Sequence, residues 1–537
     1  MDNYLKFQIA AALVRDGAYK GDFDELTAAL GDVYLGKRYR FGGAATPGLS
    51  PGSVNTPTLY ATARVGVYAG FSNHFVDAGQ VCIFVSDDGA EWTKYIILAS
   101  GSGEPNYPLG PIVEYFTIEA KDAAVVKFYR SSYGESYGDF KVEASTDGGQ
   151  TWTEVTATSE GAEVADLAAG EKVLLRGTNE VYGYNKGSNT YVNLANVHAD
   201  GQCYVYGNIM SLIGGSDFAK LREVKDGGFA YFFSDFDKHR EGTWVECKEG
   251  TKLVLPATTL GTRCYFSMFQ GCTSLEAAPE LPATTLALGC YFSMFQGCTS
   301  LEAAPALPAT TLTQGCYFSM FQGCTSLKAA PALPATTLAP SCYTSMFQGC
   351  TSLEVAPELP AGNLTQSCYN GMFDGCTSLE VAPELPAGNL ASYCYKTMFA
   401  NCTGLKVAPA LPATTLASFC YNLMFDGCTG LKVAPALPAT TLAQACYAGM
   451  FRGCTGLKVA PGLPATTLAQ TCYNSMFANC TNLAYIKALF TTTPGTTNTG
   501  DWVKGVKATG TFVKSAAATW NVSGDNGVPT GWTVETA

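Results

Sequence analysis

Charge, histidine and long apolar runs are all scarce in this 537-residue chain. Charged residues make up 15% of it and there are three histidines; an average soluble protein carries about 25% charged residues. Lys+Arg (33) falls short of Asp+Glu (45), a net charge of −12. An acidic balance lacks the basic footprint that nucleic-acid binding needs. No apolar run approaches the ~18 residues of a membrane-spanning helix. Near the N-terminus the run Ile9 to Val14 follows Lys6 and Gln8 and ends at Arg15-Asp16. That is too short and polar for a signal-peptide core, and the first cysteine is Cys82. The expectation is a chain assembled in a cytoplasm, with no membrane insertion and no lipid anchor.

Motifs of chemistry are lacking as well. His74, His198 and His239 fall in separate segments with no nucleophile motif beside them. No GxGxxG follows a strand, and neither a P-loop nor HExxH occurs. Asp235 and Asp237 near His239 read as a solvated turn rather than a cation site. No catalytic, cofactor-binding or metal-binding residue is therefore expected, and the chain reads as non-enzymatic.

What is present is a repeat. From Cys264 the chain recurs every 26 residues, nine times and without insertion, as CYxxMFxGCTxLxxAPxLPATTLxxx. One cysteine ladder runs from Cys264 through Cys290 to Cys472 and a second from Cys272 through Cys298 to Cys480. A strict period implies one segment stacked on its next copy, a solenoid. Cys264, Met268 and Cys272 are spaced by four, which predicts one face of a helical turn. Position 271 is Gly in seven copies and Asn in two (Asn401, Asn479), which predicts a helix-ending left-handed cap. Leu275 to Leu281 is expected to be a short strand, because Pro279 and Pro282 cannot donate to a ladder. The ladder cysteines and methionines are expected in the core, the thiols as small buried hydrophobes.

The MFxGCTxL and LPATTL strings resemble the BspA-type leucine-rich repeats of bacterial surface proteins. That resemblance spans about 230 residues and implies a recognition scaffold. The unit here is somewhat longer than the family's usual one, and Met replaces a common Ala before the Phe.

Around the array the reading is of a multidomain β-rich or α+β chain. Residues 1–35 read as two short amphipathic helices, with Leu5, Ile9 and Leu13 on one face, forming a docking or oligomerisation segment. Residues 36–100 read as a small β module, with strand-like runs at Leu59–Tyr68, Gly79–Ser86 and Trp92–Leu98. Its string FGGAATPGLSPGSVNTPTLYATARVGVYAGF, followed by DGAEW, resembles a module of tail proteins from phages infecting gut Bacteroidales bacteria. Residues 101–205 alternate apolar and polar in short runs, as in a β-sandwich. Within them Ser145 to Trp152 matches the Asp-box turn, repeated imperfectly at Asp87, Gly89 and Trp92. Residues 206–262 should cap the first rung of the solenoid at 263–490. Residues 491–537 should cap the last, with Phe512, Trp520 and Trp532 as a plug.

Together these features lead to the expectation of a phage virion component, a tail fibre or receptor-binding protein. It would use the array to bind a glycan or protein receptor on the bacterial surface. The N-terminal region would join other tail proteins, most simply as a homotrimer. The alternatives are a BspA-type adhesin on the bacterial cell surface and a surface-polysaccharide depolymerase. Recognition is expected where otherwise identical copies differ. Those positions include Asp374, Lys396, Asn422, Asp426 and Arg452, and the late basic series Lys406, Lys432 and Lys458.

Overall fold

The computed structural model describes residues 114–537 except 186–190 and 235–242, and, before 114, the backbone of six strands. The chain divides into two units, residues 1–112 and 113–537. In the first, Arg40–Ala44, Thr58–Thr62, Gln80–Ser86 and Thr93–Ala99 form a four-stranded sheet in that order. Its first pair is parallel and the others antiparallel. Gly66–Tyr68 and His74–Val76 form a separate antiparallel pair. In the strand Arg40–Ala44 a bulge interrupts the register between Phe41 and Gly43, the usual accommodation for glycine in a strand. The expected helices at 1–35 and the second Asp-box lie outside the described residues, as do Asp235, Asp237 and His239.

The second unit opens with two antiparallel sheets. One runs Thr153–Thr156, Lys141–Ser145, Lys172–Arg176, Phe116–Ala120, Cys203–Asn208 in space. The other runs Ala162–Leu167, Ala124–Arg130, Ala195–Ala199. Alternation puts Val126, Phe128, Val173, Leu175 and Val197 in one apolar core, as a half-buried strand pattern dictates. The strand Cys203–Asn208 also pairs in parallel with Val245–Glu246 and Leu253–Val254. The chain thus passes from sheets to array without a break in hydrogen bonding.

From Cys264 to Cys480 contacts recur at the 26-residue spacing, and this region contains no helix. The helical turn expected at Cys264–Cys272 is instead a train of overlapping four-residue turns. Alternate amides bond within the copy, Cys264 N to Gly261 O, Phe266 N to Arg263 O, Met268 N to Tyr265 O. The intervening ones bond to the next copy, Tyr265 N to Cys290 O, Ser267 N to Phe292 O, Phe269 N to Met294 O. A left-handed residue ends every second turn: Arg263 (φ 51°), Ser267 (50°), Gly271 (73°). That is the third position of a type II turn, where φ must be positive. The Gly/Asn column is left-handed as expected, with Asn401 at 58° and Asn479 at 62°, but it sits in a turn and caps no helix. The strand after it shrinks to single bridges such as Ala277 to Ala303 and Ala303 to Ala329.

Stacking of identical copies makes identical side chains meet. Tyr291, Tyr317 and Tyr343 lie in near-parallel contact at 5.8 Å between centroids, and Phe321, Phe347 and Phe373 at 5.7 Å. The Cys, Met, Phe and Leu columns are buried throughout. Both ends are closed by the same chemistry. At the start, Phe229, Tyr231 and Phe233 donate backbone N–H to Cys264, Phe266 and Met268, and Phe233 stacks on Phe269 at 5.0 Å. At the end, Tyr473, Ser475, Phe477 and Asn479 donate to Asn498, Gly500, Trp502 and Lys504. Trp502 takes the place of the ladder methionine, and Gly505 (φ 71°) that of the turn glycine. Strands Tyr485–Ala488, Thr511–Lys514 and Thr533–Thr536 pair in parallel, over buried Phe512, Trp520 and Trp532.

Candidate functional site

In each copy the turn train decides which side chains can reach solvent. In the first copy, Cys264, Tyr265, Met268, Phe269, Cys272, Leu275, Leu281 and Ala283 point inward and are buried. Positions 263, 266, 270, 276 and 277 and their equivalents face outward or lie half-buried in most copies. Because neighbouring copies are stacked in register, each outward position becomes a column along the array. The columns, rather than any cavity, are the surface on which sequence variation is displayed.

The eight residues singled out by sequence divide between those columns in an instructive way. In the column of Gln270, side-chain amides form a ladder: Gln296 donates to Gln322 (3.0 Å), Gln322 to Gln348 (2.9 Å), Gln348 to Asp374 (3.0 Å). Asp374 also accepts from Asn401 (2.9 Å). Further along, the Arg452 guanidinium grips both carboxylate oxygens of Asp426, and that hydrogen-bonded carboxylate keeps Arg452 more firmly protonated. Asn422 donates its amide to Ala448 O in the next copy (2.9 Å). Lys406 pairs with Glu380 across one copy boundary. These five side chains stitch rungs together. Lys396 instead lies over the Tyr393 ring, 5.7 Å from its centroid. Lys432 and Lys458 are exposed, with no acidic partner among the described residues.

One outward column escaped the sequence reading. Position 277 is Ala in the first three copies and then Val355, Val381, Val407, Val433 and Val459, all more than half exposed and Val433 75% so. The position falls within Leu275 to Leu281, the stretch expected to be a short strand. The available signal was the Ala-to-Val change partway along a repeat whose core positions do not change. The basic column of Lys406, Lys432 and Lys458 precedes this apolar stripe by one residue in each copy.

The buried columns are chemically quiet. The thiols of Cys298, Cys350, Cys402 and Cys454 each donate to the phenylalanine carbonyl 29 residues earlier, at 3.0–3.1 Å. Burial pushes the Cys350 and Cys402 thiols up to about 12, so the nucleophilic thiolate is suppressed. Among the described residues no three His, Cys, Asp or Glu side chains gather to hold a metal. No helix among them is long and apolar enough to cross a membrane.

The Asp-box is a structural turn, as its sequence implies. Asp147 accepts from Gln150 N (2.9 Å), Thr151 N (2.9 Å) and the Thr151 hydroxyl (2.6 Å). Hydrogen bonds led by that from the Thr151 hydroxyl hold the carboxyl far below its ordinary range. Trp152 donates to Gly149 O (3.1 Å) and lies under the Arg176 guanidinium at 4.1 Å. Every polar atom of the motif that these bonds involve is turned onto the turn itself. His198 lies apart from it, between the rings of Tyr129 and Trp244. No family model matches the chain, and no curated protein or solved structure shows significant similarity to it.

Proposed function

We propose that the chain is a non-enzymatic recognition protein, a leucine-rich-repeat solenoid of nine 26-residue units carried on a β-rich base. One observation carries this reading. The inward columns repeat almost without change, whereas the outward columns differ from copy to copy. Packing explains the first; a surface that reads a partner explains the second, since repeated concave or flat arrays present many side chains to one ligand. The ligand is a glycan or protein on a bacterial surface. The resemblance of residues 41–71 to phage tail modules supports a role in a virion, as a tail fibre or tail-associated protein. There residues 1–35 would anchor it to neighbouring tail proteins, most simply as a trimer, and many weak contacts on one particle would sum to firm attachment.

The test is adsorption. Fluorescently labelled full-length chain, mixed with a panel of gut Bacteroidales strains, should bind a subset of them saturably. Mass spectrometry of purified phage particles should find the chain among tail proteins. Absence of binding to every strain would contradict the recognition role, and absence from particles the virion assignment.

A further inference from the structure

The outward column that begins at position 263 sits in left-handed geometry in every copy. Most copies meet that demand with a small residue: Gly289, Gly315, Ser341, Ser367, Ala445 and Thr471. Three do not: the first copy carries Arg263 (φ 51°), and two consecutive later copies carry aromatic rings. Tyr393 holds φ 62° and Phe419 holds φ 59°, a conformation that bulky side chains avoid. Their rings stack at 4.8 Å and 8°, and both residues remain half-exposed. Leu423, four residues beyond Phe419, is also left-handed (φ 57°) where the other copies carry Ser, Gly or Thr. Beyond Arg263 in the first copy, the bulky residues in these strained positions therefore cluster at one place in the array. The fold does not need them, because smaller residues make the same turn in adjoining copies. Strain kept where stability gains nothing marks a functional surface.

We propose that Tyr393 and Phe419 form a ledge that binds a saccharide carrying a carboxylate. The ledge is two rungs thick and stands between small residues, Ser367 before it and Ala445 after it. An aromatic surface of this kind offers a π-face and edge to the C–H groups of a sugar ring. Lys396, half-buried over the Tyr393 ring, has no acidic partner among the described residues. Its ammonium takes the sugar carboxylate. Asn422 spends its amide N–H on Ala448 O and keeps its carbonyl oxygen for a hydroxyl. A few polar groups around an apolar platform is the composition of a small-molecule site. Net charge elsewhere is acidic, so a lone unpaired cation beside aromatic rings selects an anionic partner.

This inference rests on the array being a recognition surface. The experiment measures binding of the full-length chain to an array of uronic- and sialic-acid oligosaccharides and their neutral methyl esters. The parent should bind at least one acidic member and prefer it to its ester. Lys396→Gln should weaken that binding about tenfold or more without changing the melting temperature. Tyr393→Gly/Phe419→Gly should abolish it, and should still melt cooperatively because glycine already serves this column at 289 and 315. Failure of the parent to bind any acidic oligosaccharide overturns the proposal, as does equal binding by Lys396→Gln. If the parent adsorbs to cells and the double glycine variant adsorbs equally, the ledge is wrong and the recognition role stands. If the parent adsorbs to no cell, the recognition role itself falls.

Discussion

The thiol of Cys350 donates to the carbonyl of Phe321, 29 residues earlier, at 3.1 Å. That carbonyl already accepts the backbone N–H of Cys324 at 3.0 Å. The ladder cysteine is thus both a small apolar filler and a donor that ties one copy to the last. Solvent reaches neither sulfur column in the array. A thiol reagent such as Ellman's should therefore leave the eighteen ladder cysteines unmodified in the native protein and modify all of them in denaturant. Rapid native labelling of these cysteines would contradict their burial.

The same burial sets a pH limit. Free thiols ionise near pH 8.5–9, whereas the Cys350 and Cys402 thiols are pushed up to about 12 by desolvation. Between those values the unfolded chain sheds protons that the folded chain keeps. Stability is therefore intact below about pH 8.5 and falls as pH rises toward 12, by about 1.4 kcal/mol per pH unit for each such thiol. The melting temperature should be flat from pH 7 to about 8.5 and then drop steeply. A flat profile to pH 11 would contradict the buried, protonated state.

Met346 is fully buried in the middle of the array. Met346→Asp places a carboxylate where each copy contacts only its neighbours, at a cost of several kcal/mol. The melting curve should shift far down or split into two transitions as the array uncouples on either side. A curve that overlays the parent's would mean that this column faces water.

Tyr317 is 1% exposed and its hydroxyl has no hydrogen-bond partner among the described residues. An orphaned buried hydroxyl costs about 1–3 kcal/mol. Tyr317→Phe keeps the ring stack with Tyr291 and Tyr343 and removes that cost, so denaturant unfolding should report a gain of about 1 kcal/mol. A loss would reveal a bound water that the hydroxyl needs.

Much of this was legible in the residues themselves. The 26-residue period, the buried Cys and Met columns and the left-handed Gly/Asn position all follow from repetition and from what glycine permits. The helix did not materialise because a spacing of four suits two structures. An α-helix brings Cys264, Met268 and Cys272 to one face, and so does a train of four-residue turns. What separates them is positive φ at Ser267, Ser293 and Ser319, and serine does not advertise that geometry. Trp502 escaped for a related reason: it continues the stack through backbone bonding after the motif has dissolved. Charge columns were visible as variation, but only coordinates show Arg452 held by Asp426 and Lys406 by Glu380.

Those ion pairs also decide which substitutions can probe recognition. Arg452→Glu would set a second carboxylate against Asp426 and disturb the stack. Lys432 and Lys458 are exposed, with no acidic partner among the described residues, and exposed charges without partners contribute little to stability. The most direct test is adsorption of the full-length Lys432→Glu/Lys458→Glu chain to a bacterial strain that the parent binds. Adsorption weakened about tenfold or more, at an unchanged melting temperature, is the result expected of an array that contacts the bacterial surface through its outward columns. Adsorption equal to the parent's would contradict that role for the basic column.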